Sequence, residues 1–367
     1  SSMSDNPFSS QIEAELQKPA ARLARKLASC RVDVSEEIPP PEVAWEIQEL
    51  DSEVFRLLGT LGNFSLVKGK AKSKKSFFIN MAISTAVGQG LFQQRLRSPL
   101  KDNQNHVLYF DTEQSRYHVQ KAVKRVCEQV QTAVPTNLDT YGLRKESANE
   151  RFKLIEHAIS TTPNLGFVVI DGVRDLVTSI NDESEASHMS SALLRWSEEY
   201  NIHIVVVLHE NPGSEKARGH LGTELTNKAE TVIALEIDSA NEKVSMVRPG
   251  ACRNEAFSPF AFEIIEGLPV IFEDYDCSAK SSKARFDVLR LDPEAKFQIL
   301  ESVLSGSEGL RHSDLVAGIE STLNANHPGK YGKSVSKIKE LIKDAVERGW
   351  LVQAGNRQPY TLGKLSV

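Results

Sequence analysis

The stretch VKGKAKSKKS, residues 67–76, joins an apolar run to the helical pattern SFFINMAISTAV. A phosphate-binding loop has the spacing glycine, four residues, then Gly-Lys-Ser/Thr, between a strand and a helix. Here Gly69 begins the spacing, Lys74 stands where the second glycine belongs, and Lys75 and Ser76 complete it. The stretch therefore predicts a phosphate loop with one substitution, although a solvated lysine-rich turn is the alternative. The candidate cofactor-binding residues are Gly69, Lys72, Ser73, Lys74, Lys75, Ser76 and Phe77.

Composition limits the classes of protein that remain possible. The chain has 367 residues, of which 40% are hydrophobic and 25% charged, with a formal net charge of -5. These values are typical of globular proteins, and the mild charge means that contact with nucleic acid requires a local basic surface. No run approaches the roughly 20 apolar residues of a membrane span. We therefore expect a cytoplasmic protein that makes no membrane contact.

Short apolar runs alternate with helical patterns over residues 55–277, the predicted core. Runs such as HVLYFD, LGFVVID, IHIVVVLH and TVIALEI fit strands buried on both faces, and the helical patterns between them imply parallel crossovers. The sequence therefore predicts an α/β fold, with a mostly parallel sheet flanked by helices. Ligands of such folds bind at the carboxyl ends of the strands.

Both ends of the chain differ from this core. Residues 1–54 predict a helical arm, interrupted at Pro19 and followed by a proline-rich linker. After a linker at 278–290, residues 291–367 show three amphipathic helices and two short strands, which predict a winged helix. Within the core, the basic stretch QQRLRSPLK, residues 93–101, predicts an inserted surface loop.

Three further strand ends carry polar side chains suited to phosphate chemistry. Glu113 follows the run HVLYFD, and a carboxylate there can orient a water for attack on a γ phosphate, so Glu113 is the candidate base. Asp171 ends LGFVVID and, with Ser76, is a candidate Mg²⁺ ligand. His209 ends IHIVVVLH and is a candidate γ-phosphate contact. Taken alone, each also fits a structural role, such as an exposed acidic turn for Glu113.

The order of loop, glutamate, aspartate and histidine resembles the RecA-like P-loop ATPase core over residues 60–240. The segments GKAKSKKS, YFDTEQS, VVIDGVRDL and KARGHLGTELTNKAETVIAL resemble most the RepA-type branch, which comprises hexameric plasmid replicative helicases and mobile-element ATPases. This resemblance implies ATP and Mg²⁺ as cofactors, a homo-oligomeric ring, typically a hexamer, and a catalytic role for Lys75. It also implies that Lys216 and Arg218 reach into the neighbouring subunit's nucleotide site.

Two features depart from this family pattern. Lys74 replaces a glycine, so that Lys72 or Lys74 could share the phosphate contact of Lys75. The segment GVRDLVTSINDESEASH, which follows Asp171, corresponds to a DNA-binding loop in RecA-like filaments, but it is acidic here. Because an acidic loop repels phosphates, this segment is a poor candidate for DNA contact.

A basic excess near the carboxyl end suggests where DNA could bind. Residues 328–367 carry eight basic and three acidic side chains, a balance of 8 - 3 = +5. Such side chains would contact phosphates and give affinity with little sequence choice. The alternatives are a solvated helix face and a protein-binding winged helix. The DNA-binding candidates are Lys333, Lys337, Lys343, Arg348 and Arg357.

Three functions remain open from the sequence. The first is an ATP-hydrolysing protein that acts on DNA, as a helicase or DNA-dependent ATPase, in replication or mobilisation of a mobile element. The second is a nucleotide-gated DNA- or partner-binding protein with little or no turnover. In the third, the core binds no nucleotide and the winged helix carries all function.

Overall fold

The computed structural model describes residues 7–210, 219–273, 275–277, 288–326 and 335–365, and its described strands form one large sheet and two small ones. The strands are β1 (Val43–Gln48), β2 (Phe55–Thr60), β3 (Phe64–Lys70), β4 (Leu91–Phe92), β5 (Leu96–Arg97), β6 (His106–Asp111), β7 (Leu138–Gly142), β8 (Leu165–Asp171), β9 (His203–Glu210), β10 (Thr231–Ile237), β11 (Val244–Cys252), β12 (Phe260–Ile265), β13 (Leu268–Phe272), β14 (Leu351–Gln353) and β15 (Tyr360–Leu362). The helices are α1 (Pro7–Cys30), α2 (Lys75–Gly88), α3 (Arg116–Gln129), α4 (Ala148–Thr161), α5 (Glu183–Glu199), α6 (Gly219–Lys228), α7 (Pro293–Leu304), α8 (His312–Asn326) and α9 (Val335–Glu347).

The large sheet has the order β13-β12-β11-β10-β3-β9-β8-β6-β7. The six strands from β10 to β7 run parallel, and β11 to β13 add to the β10 edge in antiparallel fashion. One apolar core includes α2 and α3, and a second includes residues of α4, α5 and α6. The predicted mostly parallel α/β sheet with helices around it is therefore confirmed.

The strands are uniformly apolar because both of their faces are covered. Every residue of β8 is buried, and so are the first six residues of β9. Alternate side chains of a strand point to opposite faces, so successive residues enter the two different cores. Val169 belongs to the core that includes α2, whereas Val168 and Ile170 belong to the other.

The chain divides into two units, Ser1–Glu42 and Val43–Val367. In the first unit α1 continues through Pro19, so the predicted interruption there is wrong. A proline inside a helix removes one backbone hydrogen bond, and residue 19 is exposed, so water can satisfy the carbonyl that loses its partner.

The second unit begins earlier than the residue 55 expected for the core. Val43–Gln48 form β1, and the Trp45 side chain is fully buried, with its ring centroid 6.2 Å from that of Phe78 and 5.8 Å from that of Phe167. The expected surface loop at 93–101 is also wrong. Its residues Leu96–Arg97 form β5, which pairs with β1, and the buried Arg95 donates Nε to the Gln48 carbonyl at 2.7 Å.

The carboxyl-terminal region has its own apolar core, built from α7, α8, α9 and the β14–β15 pair around the buried Trp350. Three helices followed by a two-stranded antiparallel sheet are the elements that a winged helix requires, and its assignment as one stays a prediction. Across the described ranges, no helix combines the length and the apolarity needed to cross a bilayer.

A buried histidine fills the space beside a glycine of β2. The His203 ring places Nδ1 2.8 Å from the Thr60 carbonyl oxygen and Nε2 2.8 Å from Ser65 Oγ. A Cβ added at Gly59 would lie 2.2 Å from two atoms of this ring. Because hydrogen bonds hold the ring in place, it cannot move aside without losing them.

We therefore expect Gly59→Ala to lower the free energy of unfolding by about 1–3 kcal/mol, the usual cost of overpacking a core. Urea unfolding measures the change. Gly88→Ala is the matched control, since its Cβ would meet only Val130, at 3.4 Å. In a His203→Ala background, Gly59→Ala should cause a smaller loss in the free energy of unfolding. If the loss is as large there as in the wild type, the His203 ring is not its cause.

Candidate functional site

Four neighbouring strands bring their carboxyl ends to one edge of the large sheet. In the order β3-β9-β8-β6, Gly69 pairs with His209, Asp171 with Val207, and Asp111 with Asp171. Parallel strands in this register end side by side, so the predicted loop, histidine, aspartate and glutamate meet at one place.

Lys75, the first residue of α2, is almost fully buried in the loop that joins β3 to that helix. Its Nζ donates hydrogen bonds to the carbonyl oxygens of Gly69 at 2.7 Å and Lys70 at 2.6 Å, and lies 3.2 Å from Ser73 Oγ. Burial lowers the pKa of Lys75, while the negative charge of Asp171 acts in the opposite direction. The loop thus wraps around an ammonium group at the edge of the sheet.

Lys74 has a left-handed backbone, with φ 63° and ψ 32°, at the position where the usual motif has glycine. This conformation costs an L-residue about 1–2 kcal/mol. Its Nζ donates to the carbonyl oxygen of Lys243 at 2.6 Å and more weakly to that of Glu242 at 3.3 Å. Both acceptors lie in the turn between β10 and β11, on the side of β3 opposite β9, so this side chain points away from Asp171 and His209.

The other predicted loop residues occupy different positions around Lys75. Gly69 allows a close approach, because a Cβ there would lie 2.6 Å from the Leu235 carbonyl oxygen. Ser76 is half-buried in the first turn of α2, whereas Lys72 is exposed and has a φ of 66°. Phe77 packs against the core, with the Arg125 guanidinium 4.3 Å from its ring centroid.

Asp171 is a buried carboxylate among other acidic groups. Burial, together with the charges of Asp111 and Glu113, raises the pKa of Asp171 to about 7, although Lys75 acts against this rise. A buried carboxylate with this pKa holds a proton at mildly acidic pH unless a cation compensates its charge.

The turn that carries Glu113 is held by two residues, Asp111 and Thr112, for which no role was predicted from the sequence. The buried Asp111 carboxylate accepts hydrogen bonds from the backbone N–H of Glu113 at 3.0 Å and of Gln114 at 2.8 Å. Thr112 Oγ1 donates to Asp175 Oδ2 at 2.8 Å. An aspartate side chain that accepts hydrogen bonds from the backbone N–H groups two and three positions later forms an Asx turn. The aspartate that begins the segment DTEQ was therefore a sequence signal for this turn.

Glu113 and His209 face each other at this edge, with Glu113 Oε2 3.3 Å from His209 Nε2. Burial and the nearby Lys75 lower the pKa of His209, whereas Glu113 raises it. The Glu113 side chain is 66% exposed, so water has access to its carboxylate. The geometry thus brings Lys75, Asp171, Glu113 and His209 together as expected from their strand ends.

Lys216, Arg218 and Lys333 lie outside the described residues. On α9, Lys343 is exposed and Lys337 is half-buried. Arg348 pairs with Asp344 at 2.9 Å and its guanidinium lies 5.1 Å from the Trp350 ring centroid, and Arg357 is exposed between β14 and β15.

Acidic residues share the exposed side of α9 with its lysines. Glu340 and Glu347 are exposed on the same helix as Lys339 and Lys343. Residues three and four apart share a helix face, so these acidic groups partly offset the lysines there.

The residues at the sheet edge fit a nucleotide phosphate and a magnesium ion. The N–H groups at the start of a helix have no acceptor within it, and α2 begins at Lys75, directly after the loop. Gly69 lets the loop pack closely against β10, and the Lys74 side chain is directed away from Asp171 and His209. A serine hydroxyl at Ser76 and the Asp171 carboxylate are oxygen donors of the kind that Mg²⁺ prefers.

A mostly parallel sheet, a strand-loop-helix cradle and carboxylates at adjacent strand ends define a RecA-like P-loop domain. A family model described as AAA domain matches residues 24–215, slightly more than half of the chain. The chain therefore belongs to the AAA domain family of P-loop ATPase domains. A comparison with curated proteins found no match. The finer resemblance to the RepA-type branch stays a prediction.

The raised pKa of Asp171 makes the stability of the ligand-free protein depend on pH. In the unfolded chain this carboxyl group ionises near pH 3.8, but in the folded protein it ionises near pH 7, so its contribution to stability is lost as the pH rises through that interval. We expect Asp171→Asn to stabilise the ligand-free protein by on the order of 4 kcal/mol at pH 8, with a gain that shrinks toward pH 4.

Urea unfolding at several pH values measures this difference. The control is Asp102→Asn, which changes an exposed carboxylate. An Asp171→Asn gain that stays constant between pH 5 and pH 8 would contradict the raised pKa.

Proposed function

We propose that this chain is an Mg²⁺-dependent ATPase that assembles into a ring and acts on DNA. The observation that carries the proposal is the meeting of Lys75, Asp171 and Glu113 at one sheet edge, with the Lys74 side chain directed away from it. A catalytic P-loop site needs a cation for the phosphates, an oxygen ligand for the metal and a carboxylate near the attacking water.

Each side chain has a defined task in this proposal. The Lys75 ammonium exchanges its loop carbonyl partners for phosphate oxygens, which are stronger acceptors because they are charged. Ser76 and Asp171 would hold the metal ion, since both offer oxygen donors. Bound Mg²⁺ would neutralise charge on the β and γ phosphates.

Glu113 orients the attacking water, and His209 contacts the γ phosphate. Their 3.3 Å separation supports a direct link between phosphate contact and the position of the base. The Asp111 carboxylate keeps the Glu113 backbone fixed while the Glu113 side chain orients the water.

The remaining parts of the proposal concern assembly, DNA and location. Lys216 and Arg218 act in the neighbouring subunit's site, which requires a ring. Lys343 and Arg357 contact DNA phosphates, and their exposure supports this role. Action in replication or mobilisation of a mobile element, as a helicase or DNA-dependent ATPase in the cytoplasm, rests on the resemblance to RepA-type proteins.

We expect Glu113→Gln to retain Mg-ATP binding but to lower kcat by about 100-fold or more, since it removes the general base. Thermal shift measures binding and steady-state phosphate release measures turnover, with and without single-stranded DNA. A wild-type protein that binds Mg-ATP without releasing phosphate would favour the nucleotide-gated binding protein instead.

Gln replaces a carboxylate by an amide of the same size, so a loss of folding is not expected. Unchanged hydrolysis by Glu113→Gln would remove Glu113 from the role of base. The ATP-bound Glu113→Gln protein is also the sample in which mass measurement can detect a ring, with and without DNA.

We expect the double variant Lys343→Gln/Arg357→Gln to weaken DNA binding and to reduce the slope of log K against log salt by about 0.9 for each duplex phosphate that the protein no longer neutralises. Fluorescence anisotropy with a labelled duplex at several salt concentrations measures both. Lys121→Gln, an exposed change on α3, is the control. An unaltered salt slope would show that DNA binds elsewhere or not at all.

A further inference from the structure

A lysine at a glycine position of the phosphate loop requires an explanation. Lys74 adopts a left-handed backbone that an L-residue disfavours, and such a conformation persists only when its surroundings hold it. The contacts of its side chain identify what holds it. Its ammonium group bonds to two backbone carbonyls of the β10–β11 turn, those of Lys243 and Glu242.

The acceptors belong to a turn that is itself well ordered by hydrogen bonds. Asp238 N–H donates to the Val244 carbonyl at 3.0 Å, and Val244 N–H donates to the Asn241 carbonyl at 2.9 Å. Asn241 Oδ1 accepts from Lys243 N–H at 3.2 Å, and Tyr275 bonds to the Asp238 carboxylate. A turn held in this way presents its carbonyls at fixed positions.

Other parts of the loop also rest on β10 and β11. Ser245 Oγ donates to the Ser73 carbonyl at 3.4 Å. Gly69 pairs with Leu235 of β10, and their approach leaves no space for a Cβ at Gly69. The loop therefore has one side against this hairpin, while its Lys75 side faces Asp171 and His209.

We propose that Lys74 is a positioning residue that ties the phosphate loop to the β10–β11 turn and so keeps the loop in its phosphate-binding shape. In the usual motif, glycine adopts the left-handed backbone without strain and needs no tether. Here the hydrogen bonds of the Lys74 side chain hold the left-handed backbone in place. This inference rests on the proposed nucleotide function of the site, but its first test does not.

The tether predicts how the loop behaves without nucleotide. Lys74→Met removes the donors and retains the strained backbone, so the amides of residues 70–78 should exchange hydrogen faster than in the wild type. Lys74→Arg, which keeps a cationic donor, should restore slow exchange. Equal exchange in wild type and Lys74→Met would overturn the tether, whether or not the protein binds ATP.

Nucleotide affinity provides the second test. Only loops in the phosphate-binding shape bind nucleotide, so a smaller fraction of such loops weakens the observed affinity. We therefore expect Lys74→Met to raise the Mg-ATP dissociation constant and KM about tenfold, with kcat within about twofold of the wild-type value. Lys74→Gly should lie closer to the wild type, since glycine relieves the strain. A general loss of folding would instead lower kcat and melting temperature together.

Asn241→Ala removes a hydrogen bond within the β10–β11 turn and should therefore also weaken Mg-ATP binding. This effect should vanish in a Lys74→Met background, where the side chain no longer bonds to the turn. Lys121→Met is the control for loss of a lysine charge. Tighter ATP binding by Lys74→Met would show that the ammonium obstructs phosphate and would overturn the proposal. A wild-type protein that binds no Mg-ATP would overturn the proposed function. Equal Mg-ATP binding by the wild type and Lys74→Met would overturn only the tether.

Discussion

A buried ammonium group organises the sheet edge of this protein. Lys75 Nζ bonds to carbonyls at the end of β3, and its charge offsets part of the negative charge on Asp171. Burying an isolated cation is costly, so the loop must curve to bring carbonyls to it. Just before this curve, Gly69 pairs with Leu235 of β10, where a Cβ would not fit. Part of the curvature of the loop therefore follows from satisfying one charge.

The site contains more acidic than basic groups. Asp111 is satisfied by backbone N–H groups, but Asp171 is buried beside Asp111 and Glu113, and Lys75 only partly offsets the rise in its pKa. Such a site gains stability from a divalent cation, because the cation favours the ionised carboxylate. In the proposed function, the same imbalance that destabilises the ligand-free protein would favour the binding of a divalent cation beside Asp171.

Sequence patterns predicted the strands buried on both faces, because these runs are uniformly apolar, but they missed β1 and β5. β5 has only two residues, and both strands contain charged residues, such as Glu46 and Arg97, of a type that is usually found at the surface. Their burial depends on partners far along the chain. Arg95 is buried because the Gln48 carbonyl receives its Nε, and a pairing over that distance leaves no periodic signal in the sequence.

The sequence by itself determined the α/β class and the candidate groups at four strand ends, because hydrophobic runs and loop spacing are local properties of the chain. Parallel pairing then brought Gly69, His209, Asp171 and Asp111 to one edge. Only the tertiary structure decided where the Lys74 side chain points. Its direction depends on the carbonyls of a turn that lies 168 and 169 residues further along the chain, and no local rule places those carbonyls beside the loop.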